Sequence, residues 1–554
     1  MATILPKTTL VKSIAAPAVT LVHWDRMAWV LFAGLCLMVG LTFRNYGITY
    51  DEEVQKTYGD LIVRWYATRG ADTGALTYIN LYLYGGLFDT LASLVNLVSP
   101  FGTYETRHLL NGLVGVLGVA GCWKLARVLG GPRAALFAAC MLALVPDWLG
   151  QSFNNPKDIP FAAAMTWATY YMVRLAHRLP TPPPALVLKL GIAMGLALGT
   201  RVGGVMLFVT LAFAVAAFLA LEAIVPAHRA RLPRTVWQLT GTLWPVVPVA
   251  VVVMLIWWPW AQQNPIANPL EALSEFSHFP MEFDFAFFGM WVSTLHLPWY
   301  YIPGFLAVKL PEPMVLLLAA SCVAVPVMAL RRRRLLLHLP ALVFSFALFF
   351  PPVYIVATNA VLYDNIRHVL FLIPLLAVVA GIALDRFDRL VRPTGPQRVA
   401  VYGAVVAFVL YHFGVMAALH PDEYIYFNAF IGGVPGAADK FDLDFWSNSL
   451  AETTTSLVGK VVAAEGPAAL AHPYKVAVCG PLLAASYYLP PAWQAFDIDE
   501  VEEEQVSQAD FYITQMRNSC NGEPAGPVIA IAERAGIMLS QARDLRTKDE
   551  DDAE

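Results

Sequence analysis

Long uncharged apolar blocks, separated by short connections, make up most of the first 419 residues. A helix that crosses a bilayer needs about 17–25 mainly apolar residues, because the hydrocarbon layer is about 30 Å thick. Only 14% of the 554 residues are charged, against about 25% in soluble domains. The pattern predicts an all-α polytopic membrane protein with about eleven transmembrane helices. The predicted spans are Met27–Phe43, His108–Trp123, Ala134–Leu149, Ile159–Val173, Leu186–Leu198, Val202–Leu221, Leu239–Trp258, Met314–Leu330, Leu335–Ala357, Val369–Leu384 and Ala400–Leu419.

The basic residues of the connections predict the orientation, since Lys and Arg concentrate on the cytoplasmic side of membrane proteins. If the N-terminus is inside, every second connection is cytoplasmic, and each of these connections is basic. We therefore expect a bacterial inner-membrane protein with a cytoplasmic N-terminus, whose first span is an uncleaved signal anchor. The cytoplasmic connections are then Lys124–Arg133, Arg174–Pro184, His228–Arg234, Arg331–Arg334 and Asp385–Arg398.

The remaining connections, residues 44–107, 150–158, 259–313 and 358–368, then lie on the periplasmic face. Within the first of them, Tyr78–Val98 is apolar enough to be mistaken for a span. If it crossed the bilayer, all later basic connections would move to the outside, against the charge bias. We therefore expect an interfacial or re-entrant helix at this position.

The segment 420–554 differs in composition from the transmembrane domain, residues 1–419. It holds 8 Lys and Arg against 22 Asp and Glu, a net charge of −14, which argues against binding to nucleic acid or anionic lipid. Its strand-like runs alternate with helix-like stretches. We expect a small periplasmic C-terminal α/β domain with a disordered acidic end at Lys548–Glu554. The strand-like runs are Lys475–Val478, Asp510–Thr514 and Val528–Ala532.

The six cysteines show no CxxC or other metal-ligand spacing. Four of them lie in or at the ends of apolar blocks and are typical of small core residues. Cys479 and Cys520 lie in the C-terminal segment, where a disulfide is possible if that segment is outside the cytoplasm. Two unpaired thiols are an equal alternative.

An acidic triplet, Asp51-Glu52-Glu53, follows Tyr50 just after the first span. A carboxylate near a membrane interface can act as a general base, because partial desolvation raises its pKa. The same residues fit the start of a surface helix, with Asp51 at the N-cap and two acids in the first turn. The sequence leaves both interpretations open and does not rank Asp51 above Glu52.

The connection before the fourth predicted span contains Asn155-Pro156-Lys157-Asp158. Asn155 at the N-cap, Pro156 at the first helical position and Asp158 in the first turn describe a helix start. Lys157 and Asp158, beside a free helix N-terminus, also form a place for a phosphate group. The two interpretations are compatible.

Cations recur at the periplasmic ends of other predicted spans, at Arg107, Arg201, Arg367 and His368. An arginine at this depth often extends to lipid headgroups. Several on one face can instead bind a lipid phosphate, which needs clustered cationic partners.

The long connection Trp257–Lys309 is rich in aromatic residues, among them Trp299 and Tyr300. An aromatic belt at the membrane interface is the default interpretation of this composition. A surface on which a sugar stacks is the second interpretation.

Together these positions resemble the glycosyltransferase C superfamily, in particular its branch of protein O-mannosyltransferases and aminoarabinose transferases. The tail also resembles a bacterial subgroup of this branch, through Tyr426-Phe427-Asn428 and Asp442-Leu443-Asp444-Phe445-Trp446. The other residues that carry the resemblance are Thr49-Tyr50-Asp51-Glu52, Asn155-Pro156-Lys157-Asp158-Ile159-Pro160-Phe161, Pro298-Trp299-Tyr300-Tyr301-Ile302-Pro303 and Arg367-His368.

The resemblance implies a mannosyltransferase-like membrane enzyme with a periplasmic active site. It would transfer a hexosyl or pentosyl group from a polyprenyl-phosphate carrier to a lipid, glycan or protein acceptor, with inversion of the anomeric carbon. Asp51 would orient or deprotonate the acceptor, with Glu52 as the second candidate. The donor phosphate would be held by Arg201, Arg367, His368 and Lys157. The cavity and acceptor contacts would come from Tyr50, Asp158, Asn155, Arg107, Trp299 and Tyr300.

A non-enzymatic transporter or flippase for a lipid or sugar is the alternative function. Many transporters show internal repeats and bind their substrate near the bilayer midplane. No such repeat relates the two halves of this chain, and its charged residues gather at one face. The sequence specifies no cofactor, although it is compatible with a divalent metal ion.

Overall fold

The computed structural model describes residues 18–277, 281–331, 337–391, 394–498, 506, 508–516 and 524–546. Several predictions fall wholly or partly outside these residues. They concern the basic flank of the signal anchor, the arginine run Arg331–Arg334 after its first residue, two residues of the connection Asp385–Arg398, Cys520 of the possible disulfide, and the acidic end Lys548–Glu554.

Helices form most of the described chain up to residue 419, and several of them begin at a proline. Proline suits the first turn because the N–H that it lacks would have no partner there. The first twelve helices are α1 (Ala18–Thr42), α2 (Glu52–Ala67), α3 (Leu87–Asn96), α4 (Thr103–Gly130), α5 (Pro132–Ala143), α6 (Pro146–Asn154), α7 (Asp158–Ala176), α8 (Pro184–Leu198), α9 (Met206–Ile224), α10 (Pro226–Arg229), α11 (Leu232–Leu243) and α12 (Val246–Ile256). The next seven are α13 (Pro259–Gln263), α14 (Ala267–Ser277), α15 (Tyr301–Lys309), α16 (Glu312–Arg331), α17 (Leu339–Ala357), α18 (Leu372–Val391) and α19 (Gly395–Leu419).

The chain is a multi-pass membrane protein. Among the described residues, seven helical stretches are long and apolar enough to cross a membrane, or eight if the bent pair α5 and α6 forms one span. The described residues of the predicted blocks lie mainly on helices, but some of these helices are short or charged. Helix α8 has only 15 residues, and α18 carries Asp385, Arg386, Asp388 and Arg389 in its last turns.

The apolar segment Tyr78–Val98 does not form a long helix. It folds as a 3-10 turn, Leu81–Leu83, followed by α3, which has ten residues. Ten residues of α-helix rise only about 15 Å, which is about half of the hydrocarbon thickness. This agrees with the prediction that the segment does not cross the membrane.

Two of the predicted cytoplasmic connections meet at one end of the helices. Arg133, at the start of α5, pairs with Asp385 at 2.5 Å and with Asp388 at 2.6 Å near the end of α18. The two helices pack closely, since a Cβ at Gly381 would lie 2.4 Å from the backbone nitrogen of Ala138. The opposite end of α18 is the one that carries candidate functional residues.

A β-hairpin lies within the long connection 259–313, where the sequence predicted only aromatic surface. Its strands are β1 (Asp284–Phe287) and β2 (Met290–Ser293), paired antiparallel. Phe287 is buried among the rings of Tyr300, Tyr301 and Phe305, so the hairpin is packed onto the helix that follows it.

The described part of the chain after residue 419 forms a small domain of helices and strands. Its elements are α20 (Gly433–Ala437), α21 (Leu450–Glu465), β3 (Lys475–Cys479), α22 (Leu482–Ser486), β4 (Gln494–Asp497), β5 (Phe511–Gln515), β6 (Val528–Arg534) and β7 (Ile537–Asp544). The strands form a mixed five-stranded sheet in the order β4-β3-β5-β7-β6, in which β3 runs parallel to β4 and β5, and β7 runs antiparallel to β5 and β6. The apolar face of α21 packs on this sheet through Leu457 and Val461. The predicted small α/β domain is confirmed.

The predicted disulfide involves the last residue of β3. Cys479 is buried there, and Cys520 lies outside the described residues. The pairing of the two therefore stays a prediction.

Candidate active site

Asp51 lies just before α2, where the chain turns away from the end of α1. Its Oδ2 atom lies 3.6 Å from Nη2 of Arg367, and its side chain is 24% exposed. Burial raises the pKa of Asp51, but the positive charges of Lys157, Arg367 and Arg201 outweigh burial and hold the pKa below its usual value. Asp51 is therefore an ionised carboxylate at neutral pH, beside three cations.

Glu52 points away from these cations and is fully buried. Its Oε2 atom accepts hydrogen bonds from the backbone N–H and the hydroxyl of Thr49, at 2.9 and 3.0 Å. Its Oε1 atom lies 3.0 Å from Nε2 of His108 on α4. The carboxylate thus holds the start of α2 against α4, and the geometry favours Asp51 over Glu52 as the candidate base.

Asn155 and Asp158 build the start of α7. The side-chain oxygen of Asn155 accepts from the backbone N–H of Asp158 at 2.9 Å, and its amide donates to Gln151 and Asp158 at 2.7 and 3.0 Å. The hydrogen bond from Asp158 is the kind that the sequence predicted for Asn155, but the predicted helix start is wrong, because α7 begins at Asp158 with Lys157 at its N-cap. Asp158 in turn binds Arg201, with 2.5 Å between Oδ1 and Nη2, so both residues act on the site by fixing a cation.

Tyr84 joins the cluster through a contact between two glycines. A Cβ at Gly85 would lie 2.2 Å from the carbonyl carbon of Gly199, so the first connection touches the end of α8 backbone to backbone. This places the Tyr84 ring 4.4 Å from Nζ of Lys157 and 5.8 Å from the guanidinium carbon of Arg201. Cations are attracted to the face of an aromatic ring, so Tyr84 contributes to the cluster. Tyr84 was not predicted from the sequence, because only the long-range contact between Gly85 and Gly199 brings it to the cations.

Lys157 stands out among the cations of the cluster. Within the described residues, no carboxylate oxygen lies within 4.0 Å of its ammonium group. Burial lowers the pKa of Lys157, and Arg201 and Arg367 lower it further, although Asp51 opposes them. A partly buried cation without an ion-pair partner is costly, and an anionic ligand would relieve that cost.

Arg367 is fixed from several sides. Its Nη1 atom lies 3.1 Å from Oδ2 of Asp364, and its guanidinium carbon lies 4.9 Å from the centre of the Tyr363 ring. Asp364 and Asn365 have φ values of 54° and 62°, a left-handed conformation that Asp and Asn tolerate better than most residues. This turn directs the chain so that Arg367 reaches Asp51.

His368 lies in the cluster but is not one of its cations. Burial lowers the pKa of His368 well below its usual value, and the charges of Arg367, Arg201 and Lys157 lower it further. Its Nδ1 atom lies 3.5 Å from the backbone N–H of Tyr363, as an acceptor. Both effects favour a neutral imidazole over the potentially cationic one of the prediction, and the predicted role of His368 in holding the donor phosphate stays a prediction.

Two donors of the cluster are unused. The Nε atoms of Arg201 and Arg367 are buried, and within the described residues neither has a hydrogen-bond acceptor. Buried donors without acceptors are uncommon in proteins. Together with Lys157, they leave the cluster with capacity for the oxygens of one anion.

Arg107 occupies a different position from the predicted one. It is fully buried, and its Nη2 atom lies 2.5 Å from Oδ1 of Asp89 on α3. Its guanidinium also lies over the ring of Phe88, at 5.5 Å. Arg107 therefore joins α3 to α4, and the prediction that it lines the cavity is corrected.

The aromatic candidates lie at the surface. Trp299 is 71% exposed and Tyr50 is 59% exposed. Tyr300 packs against Phe287 and Trp299, with ring centres 6.0 and 5.8 Å apart. Among the residues that the structure describes, no contact joins Trp299 or Tyr300 to the charged cluster, so their predicted roles in binding stay predictions.

A cavity of about 480 Å³ lies between the first connection and the C-terminal domain. It is lined by Arg44, Asn45, Asp422, Asn448 and Glu452, among others, and by none of the predicted site residues. Within the described ranges, no group of three His, Cys, Asp or Glu side chains is arranged to hold a metal ion. The candidate site is thus defined by its charged cluster.

The comparisons with known proteins agree with this architecture. Residues 91–260 match the family model of dolichyl-phosphate-mannose-protein mannosyltransferases, while no curated protein matches the chain. The fold is similar to ArnT from Cupriavidus metallidurans in the apo state, with 16% identity and a TM-score of 0.50 over 94% of this chain and 98% of that chain.

Two further solved structures are similar at lower scores. ArnT from Cupriavidus metallidurans bound to undecaprenyl phosphate has 16% identity and a TM-score of 0.47, over 93% of this chain and 97% of that chain. The oligosaccharyltransferase of Archaeoglobus fulgidus in the apo form has 14% identity and a TM-score of 0.46, over 89% and 70%.

The predicted resemblance to the mannosyltransferase branch is confirmed over residues 91–260. The likeness to ArnT extends over nearly the whole of both chains and shows a shared fold. The family match supports a membrane glycosyltransferase.

Proposed function

We propose that this chain, which has the ArnT-like glycosyltransferase C fold, transfers a hexosyl or pentosyl group from a polyprenyl-phosphate carrier to an acceptor on the periplasmic side of the bacterial inner membrane. The observation that carries the proposal is the ionised carboxylate of Asp51 beside Lys157, Arg201 and Arg367. The matched family is named for a donor in which the sugar is linked to a lipid phosphate, which supports the same donor class here.

In the proposed reaction, a hydroxyl oxygen of the acceptor attacks the anomeric carbon of the donor sugar. The bond from that carbon to the phosphate oxygen breaks, and the phosphate leaves with the bonding electrons. The acceptor proton passes to Asp51. Lys157, Arg201 and Arg367 stabilise the charge that develops on the phosphate, which lowers the barrier because these groups are already in place.

Attack opposite the leaving phosphate inverts the anomeric carbon. A retaining mechanism needs a second carboxylate as nucleophile, about 5–5.5 Å from the first in glycoside hydrolases. Asp158 and Asp364, the other acids of the cluster, are each bound to an arginine. This arrangement supports the inverting route.

The basicity of Asp51 depends on the donor. Without an anion, three cations hold its pKa low, which makes the carboxylate a weak base. A bound phosphate offsets part of this positive charge, so the pKa of Asp51 rises. Asp51 thereby becomes a stronger base only when the donor is present.

The affinity for undecaprenyl phosphate tests this proposal directly. Lys157→Met removes the cation that lacks a carboxylate partner and keeps the apolar stem. We expect the affinity of the purified protein for undecaprenyl phosphate to fall about 10- to 100-fold, because the loss of one hydrogen bond to a charged group weakens binding by about this factor. The matched control is Lys56→Met on α2, whose ammonium group pairs with Asp60 at 2.9 Å outside the cluster. A wild-type protein that does not bind undecaprenyl phosphate, or equal affinity in both variants, would contradict the proposal.

The proposed topology is tested by reporter fusions. Alkaline phosphatase fused after Glu554 should be active, because the enzyme folds only in the oxidising periplasm. The matched fusion at Gly131, in a predicted cytoplasmic connection, should be inactive. The reverse pattern would place Asp51 in the cytoplasm and would rule out a periplasmic active site.

A further inference from the structure

We infer that the C-terminal domain completes the active site, with Trp446 as a positioning residue for Arg367 and the segment 442–449 as the support of the Asp51 loop. The inference rests on the proposed function, because it assigns Arg367 and Asp51 their roles. It adds that donor binding and turnover depend on the C-terminal domain, which does not follow from the charged cluster alone.

Trp446 contacts the cation that lies nearest to Asp51. The guanidinium carbon of Arg367 lies 4.6 Å from the centre of the Trp446 ring, and Trp446 is only 1% exposed. Arg367 therefore contacts two aromatic rings, those of Trp446 and Tyr363. Tryptophan is the strongest aromatic partner for a cation, and the attraction grows when both groups are desolvated.

The same segment holds the backbone before Asp51. The N–H of Tyr50 donates to the carbonyl oxygen of Trp446 at 3.2 Å, and the N–H of Gly47 donates to Oδ1 of Asn448 at 2.7 Å. The packing is close, since a Cβ at Gly47 would lie 2.6 Å from the carbonyl oxygen of Asn448. The C-terminal segment thus contacts the backbone just before Asp51 and the side chain of Arg367.

Two further contacts join the domain to the site. The hydroxyl of Tyr488 accepts from the N–H of Ile48 at 3.1 Å. Asn365, which lies two residues before Arg367, donates from its side-chain amide to the carbonyl oxygen of Asp442 at 3.3 Å. The connection that carries Arg367 and the one that carries Asp51 are therefore fixed to the same domain.

The segment is itself rigidly held. Its buried Asp444 accepts from the hydroxyl of Ser449 at 2.5 Å, from the N–H of Asn448 at 3.2 Å, and from the hydroxyl of Tyr424. A support that is ordered in this way can fix its neighbours, because it does not move to follow them.

The indole N–H of Trp446 is free to bind a ligand of the site. It is buried and has no acceptor among the described residues, a state that it shares with the indole N–H groups of Trp123 and Trp148, and what sets it apart is its place beside Arg367. The ring lies against Arg367, and the Nε atom of Arg367 is also unused. An anion bound at Arg367 brings the kind of acceptor that both groups lack.

The test compares Trp446→Leu with Trp446→Phe. The leucine removes the aromatic face, so we expect the affinity for undecaprenyl phosphate to fall about 10-fold, within the range of cation–π energies. The phenylalanine keeps a ring face and should restore most of the affinity. The control is Trp493→Leu, which removes a tryptophan from the same domain, where its ring stacks on Phe511, away from the cluster.

A merely structural role predicts a different result. Both leucine variants would then lower the melting temperature, and neither folded variant would lose affinity for undecaprenyl phosphate. That outcome would overturn the inference while leaving the proposed function intact. A wild-type protein that fails to bind undecaprenyl phosphate would instead remove the proposed function.

Tyr488→Phe keeps the inference testable if Trp446→Leu does not fold. The half-buried tyrosine loses only its hydroxyl, so the amide of Ile48 loses its acceptor. We expect faster hydrogen exchange at that amide and a several-fold lower kcat, with unchanged affinity for undecaprenyl phosphate. Unchanged exchange and turnover would show that the domain does not support the Asp51 loop.

Discussion

Asp51→Asn is expected to lower kcat by about 10²- to 10⁴-fold, the usual contribution of a positioned general base. The amide keeps the size of the carboxylate but cannot accept the proton of the acceptor hydroxyl. Affinity for undecaprenyl phosphate should stay the same or rise, because the carboxylate 3.6 Å from Arg367 no longer competes with the phosphate. A loss of turnover with retained binding is therefore the specific expectation.

Glu53→Gln is the matched control for this variant. Glu53 is exposed, two residues from Asp51 in the same acidic triplet, and its substitution should leave turnover near that of the wild type. The measurement is sugar transfer in membranes supplied with a polyprenyl-phosphate-linked sugar. Undiminished turnover of Asp51→Asn would remove Asp51 from the mechanism.

Glu52→Leu is expected to destabilise the fold by about 2–5 kcal/mol, because each buried donor that loses its acceptor costs about 1–3 kcal/mol. The leucine leaves the N–H of Thr49 and the ring of His108 without their shared acceptor, while the hydroxyl of Thr49 keeps the carbonyl oxygen of Asn154 as an acceptor at 3.0 Å. The free energy of unfolding, measured with a denaturant in detergent, should fall accordingly, whereas turnover per folded molecule should far exceed that of Asp51→Asn.

The comparison of Glu52→Leu with Glu52→Gln separates structure from catalysis. The glutamine keeps one acceptor oxygen and should lose only part of the stability. If Glu52→Gln folded with wild-type stability but lost turnover, the roles assigned to Asp51 and Glu52 would have to be exchanged.

The assembly of the charged cluster could be predicted from the sequence, although its details could not. Every second connection between transmembrane helices emerges on the same side of the membrane. Asp51, Lys157, Arg201 and Arg367 were expected together for this reason. The structure brings all four into one cluster. The order of the connections predicts the side of the membrane on which a residue lies, but it does not predict the distance between two side chains. The pairing of Arg201 with Asp158 was therefore not foreseen.

The corrections have a common physical cause. Arg107 finds a partner in Asp89, which lies 18 residues earlier on a separate helix, and no local pattern encodes that pairing. Neighbours on a helix point in different directions, about 100° apart, so adjacent acids such as Asp51 and Glu52 meet different surroundings. Trp446 joins the cluster only because two distant parts of the chain pack together.

Lipid analysis of cells that lack this protein tests the central claim most directly. If the chain takes its sugar from a polyprenyl-phosphate carrier, mass spectrometry of lipid extracts should show an accumulated polyprenyl-phosphate-linked sugar. The wild-type chain should remove the accumulated lipid when it is reintroduced, and Asp51→Asn should not. An unchanged lipid profile, or full reversal by Asp51→Asn, would contradict the account.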